Sequence, residues 1–235
     1  MERAPTLQVA ELSLAQRIWG VLVSPRIVFE YLKKRPRLLG ALTFLIILNV
    51  GVGYVMMDLF VENRLADMED TQNLTEEELA SSEKLMRAAI LIGSTIAPII
   101  YTFIPAAIFL FLTNVILGGS TNYKRMTASF AHIGMVTVPM LVVRVPLMKI
   151  QGDSDVRTSL AAFVPKEAGM GFAYQLLNQF DIFTLWMLGL SVLAVSVMGE
   201  VPMRRAAYGV IGAWVLFLLI WVPMSTFMQS VQAGQ

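Results

Sequence analysis

Few side chains in this sequence are equipped for chemistry, and their spacing excludes most of it. His132 is the single histidine, and there is no cysteine. Disulfides, thiolate catalysis and metal sites built on two histidines are therefore excluded. The glycine pairs Gly51–Gly53 and Gly169–Gly171 each lack the third glycine of a dinucleotide-binding turn, and no phosphate-binding loop or nucleophile elbow occurs. Paired catalytic groups are missing, so neither an enzyme nor a cofactor or metal is expected.

What remains is polarity set in apolar surroundings. Asn49, Asn114 and His132 fall within apolar runs, where such groups either relay protons or bond to a neighbouring helix. Interhelical hydrogen bonding is the expectation for all three. Asp58, Arg144 and Asp181 stand at the ends of such runs. At the helical rise, Asp58 and Arg144 sit roughly 26–28 Å from the opposite ends of their helices, at a common depth. Pairing opposite charges lowers the desolvation cost of each. Asp58 is thus expected to approach Arg144, or Arg144 to turn instead to Asp181. A third set lies nearer the N-terminus, where Val28, Phe29 and Leu32 precede the bases Lys33, Lys34, Arg35 and Arg37. An apolar side ending in a basic cluster suits a helix lying on an anionic leaflet, with Phe29 and Leu32 toward lipid.

The elements that must position these groups are helices in a bilayer. Hydrophobic residues make up 56% of the 235 and charged ones 15%. The mean hydropathy is +0.65, more apolar surface than a soluble core can hide. Five long apolar runs stand out, at 38–57, 88–123, 126–143, 182–199 and 206–235. Each is long enough to cross a hydrocarbon core of about 30 Å. The short alternating segments of a β-barrel are absent. The fold expected is all-α, a polytopic bundle of five spans with an N-terminal amphipathic arm. In domain terms, residues 1–38 form the arm, 39–228 the five-helix domain and 229–235 a short tail. A polar or mixed stretch precedes the first run, so no signal peptide is expected and span one serves as the insertion signal.

Basic residues set the orientation. The arm and the short loops holding Lys124, Arg125, Arg204 and Arg205 are basic, whereas the segment from Glu62 to Arg87 is strongly acidic. The N-terminus is accordingly expected in the cytoplasm and the C-terminus outside, in a cell membrane. Thr75 and Glu78 form a capping box that starts a helix running into span two, where Pro98 and Pro105 suggest a kink. Asn73-Leu74-Thr75 also fits a glycosylation sequon, read here as a chance match. Asn178 is expected to cap span four. Spans two–three and four–five look alike: each pair turns at a glycine, followed by two bases and small residues.

Three stretches together resemble the Ypt/Rab-interacting-protein (Yip) family of integral membrane proteins. They are SPRIVFEYLKKRPRLLGALTFLII (24–47), LGGSTNYKRMTASFAHIGMVTVPMLV (117–142) and LLNQFDIFTLWMLGL (176–190), the last followed by Gly199 and Arg204-Arg205-Ala206. Order, spacing and span count agree over about residues 20–228. The resemblance implies a five-span bundle and no catalytic residues. Eukaryotic relatives act in vesicle traffic, binding small GTPases and partner membrane proteins. The short arm here leaves little room for a GTPase-binding region and points to a bacterial plasma-membrane protein. The partners expected are the lipid bilayer and other membrane proteins or further copies of the chain. A net charge of +1 makes no case for nucleic acid. The resulting expectation is a membrane-organising scaffold, with translocation of lipid or a small solute as the alternative.

Overall fold

Apolar runs bounded by capping residues fold here as helices, seen in a computed structural model that describes residues 11–71, 75–154, 156–165 and 171–233. The sequon residues Asn73 and Leu74 lie outside the described residues. Helix α1 (Leu14–Val23) opens on Ser13, whose hydroxyl accepts from the Gln16 amide while the Gln16 side chain closes back on the Ser13 amide. Helix α2 (Pro25–Lys34) begins with proline at its first position, although Ser24 makes no side-chain cap. Next come α3 (Leu39–Val55) and the acidic α4 (Met57–Thr71), which leaves α3 at 55°.

The Thr75–Glu78 capping box starts α5 (Glu76–Phe111), a helix of 36 residues containing Pro98 and Pro105. It ends in a π-turn, Leu112–Ile116. Span three is α6 (Tyr123–Ile133) continued through a tight 3₁₀ turn into α7 (Thr137–Gln151). A short α8 (Phe172–Asn178) precedes α9 (Ile182–Gly199) and α10 (Met203–Ala233). The segment expected as a tail therefore continues α10 as far as Ala233.

Four stretches, Glu76–Ile116, Tyr123–Gln151, Ile182–Gly199 and Met203–Met228, are each long and apolar enough to cross a bilayer. The bent pair Leu39–Val55 and Met57–Ala66, counted as one broken span, makes five. In the bundle α5 lies between α3 and α6, α6 packs on α9, and α9 on α10. The core centres on α6, whose residues from Met126 to Ile133 are all buried, with Phe130 stacked on Phe109 at 5.1 Å. Ile99, Ile100 and Tyr101 of α5 and Leu219 and Ile220 of α10 face outward. An exposed apolar belt of this extent is what a hydrocarbon environment accepts and water does not. The fold is all-α and polytopic.

Candidate functional site

The two ends of the bundle hold its polar structure: an arm face, where α1 and α2 dock, and a far face, where the 152–181 connection folds over.

On the arm face, α2 turns Val28, Phe29 and Leu32 into the bundle against α9, each 1% exposed or less. This corrects the expectation that Phe29 and Leu32 face lipid. An apolar helix side fits a leaflet or a protein groove equally well by pattern. Contact with α9 and α6 buries these side chains fully, at roughly 1.5–3 kcal/mol for each large residue. Gly20 permits the close crossing, since a Cβ there would lie 2.8 Å from Val28 Cγ2. The basic cluster is also largely used inside the protein. Lys33 Nζ lies 2.9 Å from Glu200 Oε1, Arg35 pairs with Glu11, and Arg37 reaches Glu11 at 3.5 Å. Lys34 is exposed and makes no ion pair among the described residues. The hydrogen bond from Lys33, reinforced by its charge, holds the Glu200 carboxyl below the ordinary carboxylate range.

The turns of the two similar hairpins meet beside this arm. Gly118 takes the left-handed region at φ 66°, and Glu200 does so at φ 56°. The Ser120 amide donates to the Gly199 carbonyl at 3.2 Å. Gly119 and Gly199 allow that contact: a Cβ on Gly119 would sit 2.7 Å from the Gly199 oxygen, and one on Gly199 only 2.3 Å from Thr113 Cγ2. Thr113 belongs to the π-turn, a helix irregularity often found where function is located. Sequence reading paired the hairpins by likeness and did not foresee that they touch.

The three intramembrane polar candidates do not bond between helices, a second correction. Asn49 Nδ2 donates to the Leu45 carbonyl of its own helix at 2.8 Å. Asn114 closes its own hairpin turn, accepting from the Thr121 amide and donating to the Thr121 carbonyl, both at 2.9 Å. His132, fully buried, places Nδ1 2.7 Å from the Ala128 carbonyl, and its Nε2 has no partner. The carbonyl four residues back is always within reach on a helix, so short polar side chains satisfy themselves without a neighbour. Arg17, which no motif singled out, is buried at 8% exposure beside Tyr31, with its guanidinium 5.8 Å from the ring centre.

On the far face, Arg144 Nη2 lies 3.1 Å from Asp181 Oδ2, and Arg144 Nε donates to Thr158 at 3.0 Å. The Thr158 hydroxyl donates to the same Asp181 oxygen at 2.5 Å. Asp181, 3% exposed, also caps α9 by accepting from the Phe183 and Thr184 amides at 2.8 and 3.4 Å. It takes the capping role expected of Asn178, which ends α8 and meets Ser159 at 2.9 Å. Asp58 does not meet Arg144. The break after α3 swings Asp58 toward α5, where it pairs with Arg87 at 2.8 Å. Arg157 stacks over Tyr174 at 4.7 Å and donates to the Val164 carbonyl at 3.1 Å, holding the connection down.

Elsewhere, α3 and α7 leave an apolar groove of about 300 Å³ lined by Ile47, Leu48, Gly51, Val52, Val55 and Val145. Among the described residues no three His, Asp or Glu side chains gather as a metal site.

Apolar outward faces, spans of membrane length and polar ends define an integral, multi-pass helical membrane protein. Residues 19–224 match the Yip1 domain model, and the chain belongs to that family. It is similar to the membrane protein YknW of Bacillus subtilis (strain 168), 27% identical over 222 residues that cover 91% of each chain. No solved structure matches it.

Proposed function

We propose that the chain is a non-enzymatic membrane-organising scaffold in a bacterial plasma membrane, acting through contacts with lipid and with other membrane proteins. The observation that carries this reading is how the intramembrane polar groups are used. Asn49, Thr95, Thr113, Ser129 and Ser191 donate to carbonyls of their own helices at 2.6–2.9 Å. Groups so committed do not converge on a shared hydrated path, as transport of a polar solute requires. The family resemblance adds the expectation of membrane-protein partners. The small GTPases of eukaryotic relatives are left out, because the apolar side of the arm is already occupied by the bundle.

In this reading the arm face is cytoplasmic, with Lys124 and Arg204 inside and Glu77 and Arg157 outside. The basic arm and loops support it. With no native cysteine to compete, single cysteines at positions 77 and 124 should label from opposite sides. Labelling of position 77 from the cytoplasm would reverse the topology.

The function itself is tested in two arms. In native membranes, a photoreactive residue at Val52 should give a discrete, saturable protein adduct that Gly51→Leu removes by filling the groove. In proteoliposomes, neither ion flux nor exchange of labelled lipid between leaflets should exceed that of protein-free vesicles. Flux that Gly51→Leu abolishes would replace the scaffold with a translocator.

A further inference from the structure

Among the described residues Arg17 is the one arginine of the arm that is buried, yet it meets no carboxylate there. Its Nε is out of contact with solvent and has no hydrogen-bond partner. The elements packed on α1 are α2, α3, α6 and the turn at Gly134–Val136, and their only acidic residue is Glu30, which is exposed. Glu11 is engaged by Arg35 and Arg37, and Glu200 by Lys33. The Tyr31 ring lies 5.8 Å from the guanidinium, and α6, which packs on α1, holds the buried His132, whose Nε2 also lacks a partner. A guanidinium does not shed its proton, so burying one without an anion beside it is costly.

The surroundings of this site are those of a lipid. Trp19, Val23 and Ile27, on the outer side of the same two helices, are 58–67% exposed and apolar. Their exposure sets the arm against the leaflet that would supply such a lipid. The planar fork of an arginine matches two oxygens of a phosphate, which a chloride ion or a water does not. The arm also carries Arg26, Lys33, Lys34, Arg35 and Arg37, a basic field that favours a phosphate diester without an attached cation. We propose that Arg17, beside Tyr31, binds the phosphate of one anionic phospholipid in the leaflet on the arm side. This holds whether or not the bundle recruits a protein partner.

The test uses the full chain in detergent, with phosphatidylglycerol, phosphatidylcholine or inorganic phosphate added. Native mass spectrometry and thermal melting provide the readouts. Phosphatidylglycerol should bind and raise the melting temperature, phosphatidylcholine should do so weakly, and inorganic phosphate least. Arg17→Met should weaken phosphatidylglycerol binding about tenfold or more, the scale of a lost charge-assisted hydrogen bond. Arg26→Gln, at an exposed arginine of the same arm, should leave it unchanged. If Arg17→Met does not fold, Arg17→Lys decides, because it keeps the charge and loses the fork: weaker binding is expected. Equal binding by wild type and the Arg17 variant overturns the proposal. So does equal preference for phosphatidylcholine, and inorganic phosphate binding as tightly as the lipid would remove the lipid as its source.

Discussion

Replacing Gly199 with alanine separates two opposing effects whose sizes the structure predicts. Gly199 closes α9, where alanine would favour the helix by up to about 1 kcal/mol. Its new Cβ would lie 2.3 Å from Thr113 Cγ2, against an ordinary carbon contact of about 3.5–4.0 Å. Thr113 is fully buried and its hydroxyl is tied to the Phe109 carbonyl at 2.6 Å, so the methyl cannot rotate away without losing that bond. Overpacking of this kind costs about 1–3 kcal/mol, which outweighs the helical gain. Thr113→Ser keeps the hydroxyl and removes the methyl, at about 1 kcal/mol for the lost buried group. The next atoms near the Cβ are then Thr113 Cβ at 3.7 Å and Gly119 Cα at 3.9 Å, both ordinary contacts. In the Thr113→Ser background, Gly199→Ala should therefore be neutral or stabilising. Unfolding in mixed micelles, with denaturing detergent as the titrant, measures the cycle. The expected coupling is about 1–3 kcal/mol in favour of the double variant. A harmless Gly199→Ala, or one that Thr113→Ser fails to rescue, would show that the hairpin turns do not meet as described.

Phe29→Ala should loosen the arm, with a loss of about 3–5 kcal/mol limited by the free energy of docking the arm; faster amide exchange over residues 14–34 measures it, and an unchanged rate would return Phe29 to the lipid. Arg144→Gln should destabilise the far face by about 3–5 kcal/mol, since it leaves the buried Asp181 unpaired, and Asp181→Asn by less, because Arg144 is 28% exposed. The double change should fall short of their sum, and simple additivity would break the pair. Arm docking should also respond to acid. The folded Glu200 pKa lies below its ordinary 4.5, so the contribution of Lys33–Glu200 is full above that value and fades as pH falls through the lowered one. Amide exchange of the arm should quicken relative to Glu200→Gln in that acid window, and parallel profiles would exclude the pair as the cause.

The long apolar runs were legible because hydrocarbon demands length and composition and little else. The Thr75–Glu78 cap could be read because its chemistry is local. The Arg144–Asp181 contact was within reach, as the alternative to Asp58–Arg144, because charges at the ends of apolar runs have few partners to choose from. Rotation about the helix axis does not follow from counting, and there the sequence misled. Asn49 and His132 turned back on their own carbonyls, while a break at one residue, Met56, sent Asp58 to Arg87. Phe29 and Leu32 make the same stripe for a leaflet as for a groove, and only the presence of α9 decides between them. Arg17 escaped notice because a base in a basic arm carries no mark of burial.

The length of α5 has a consequence for how the protein meets the aqueous phase. Its first twelve residues, from Glu76 to Arg87, precede the apolar stretch that begins at Ala88. At the helical rise they hold Glu76, Glu77 and Glu78 about 18 Å beyond that stretch on a continuous helix. The headgroup layer takes up about 5–7 Å of that distance, and electrostatic influence in physiological salt decays over about 8 Å, so Glu76 stands about one and a half screening lengths outside the headgroups. A change of lipid composition would therefore alter the potential around Arg87 far more than that at Glu76, and the tip of α5 is buffered against the surface charge of the membrane.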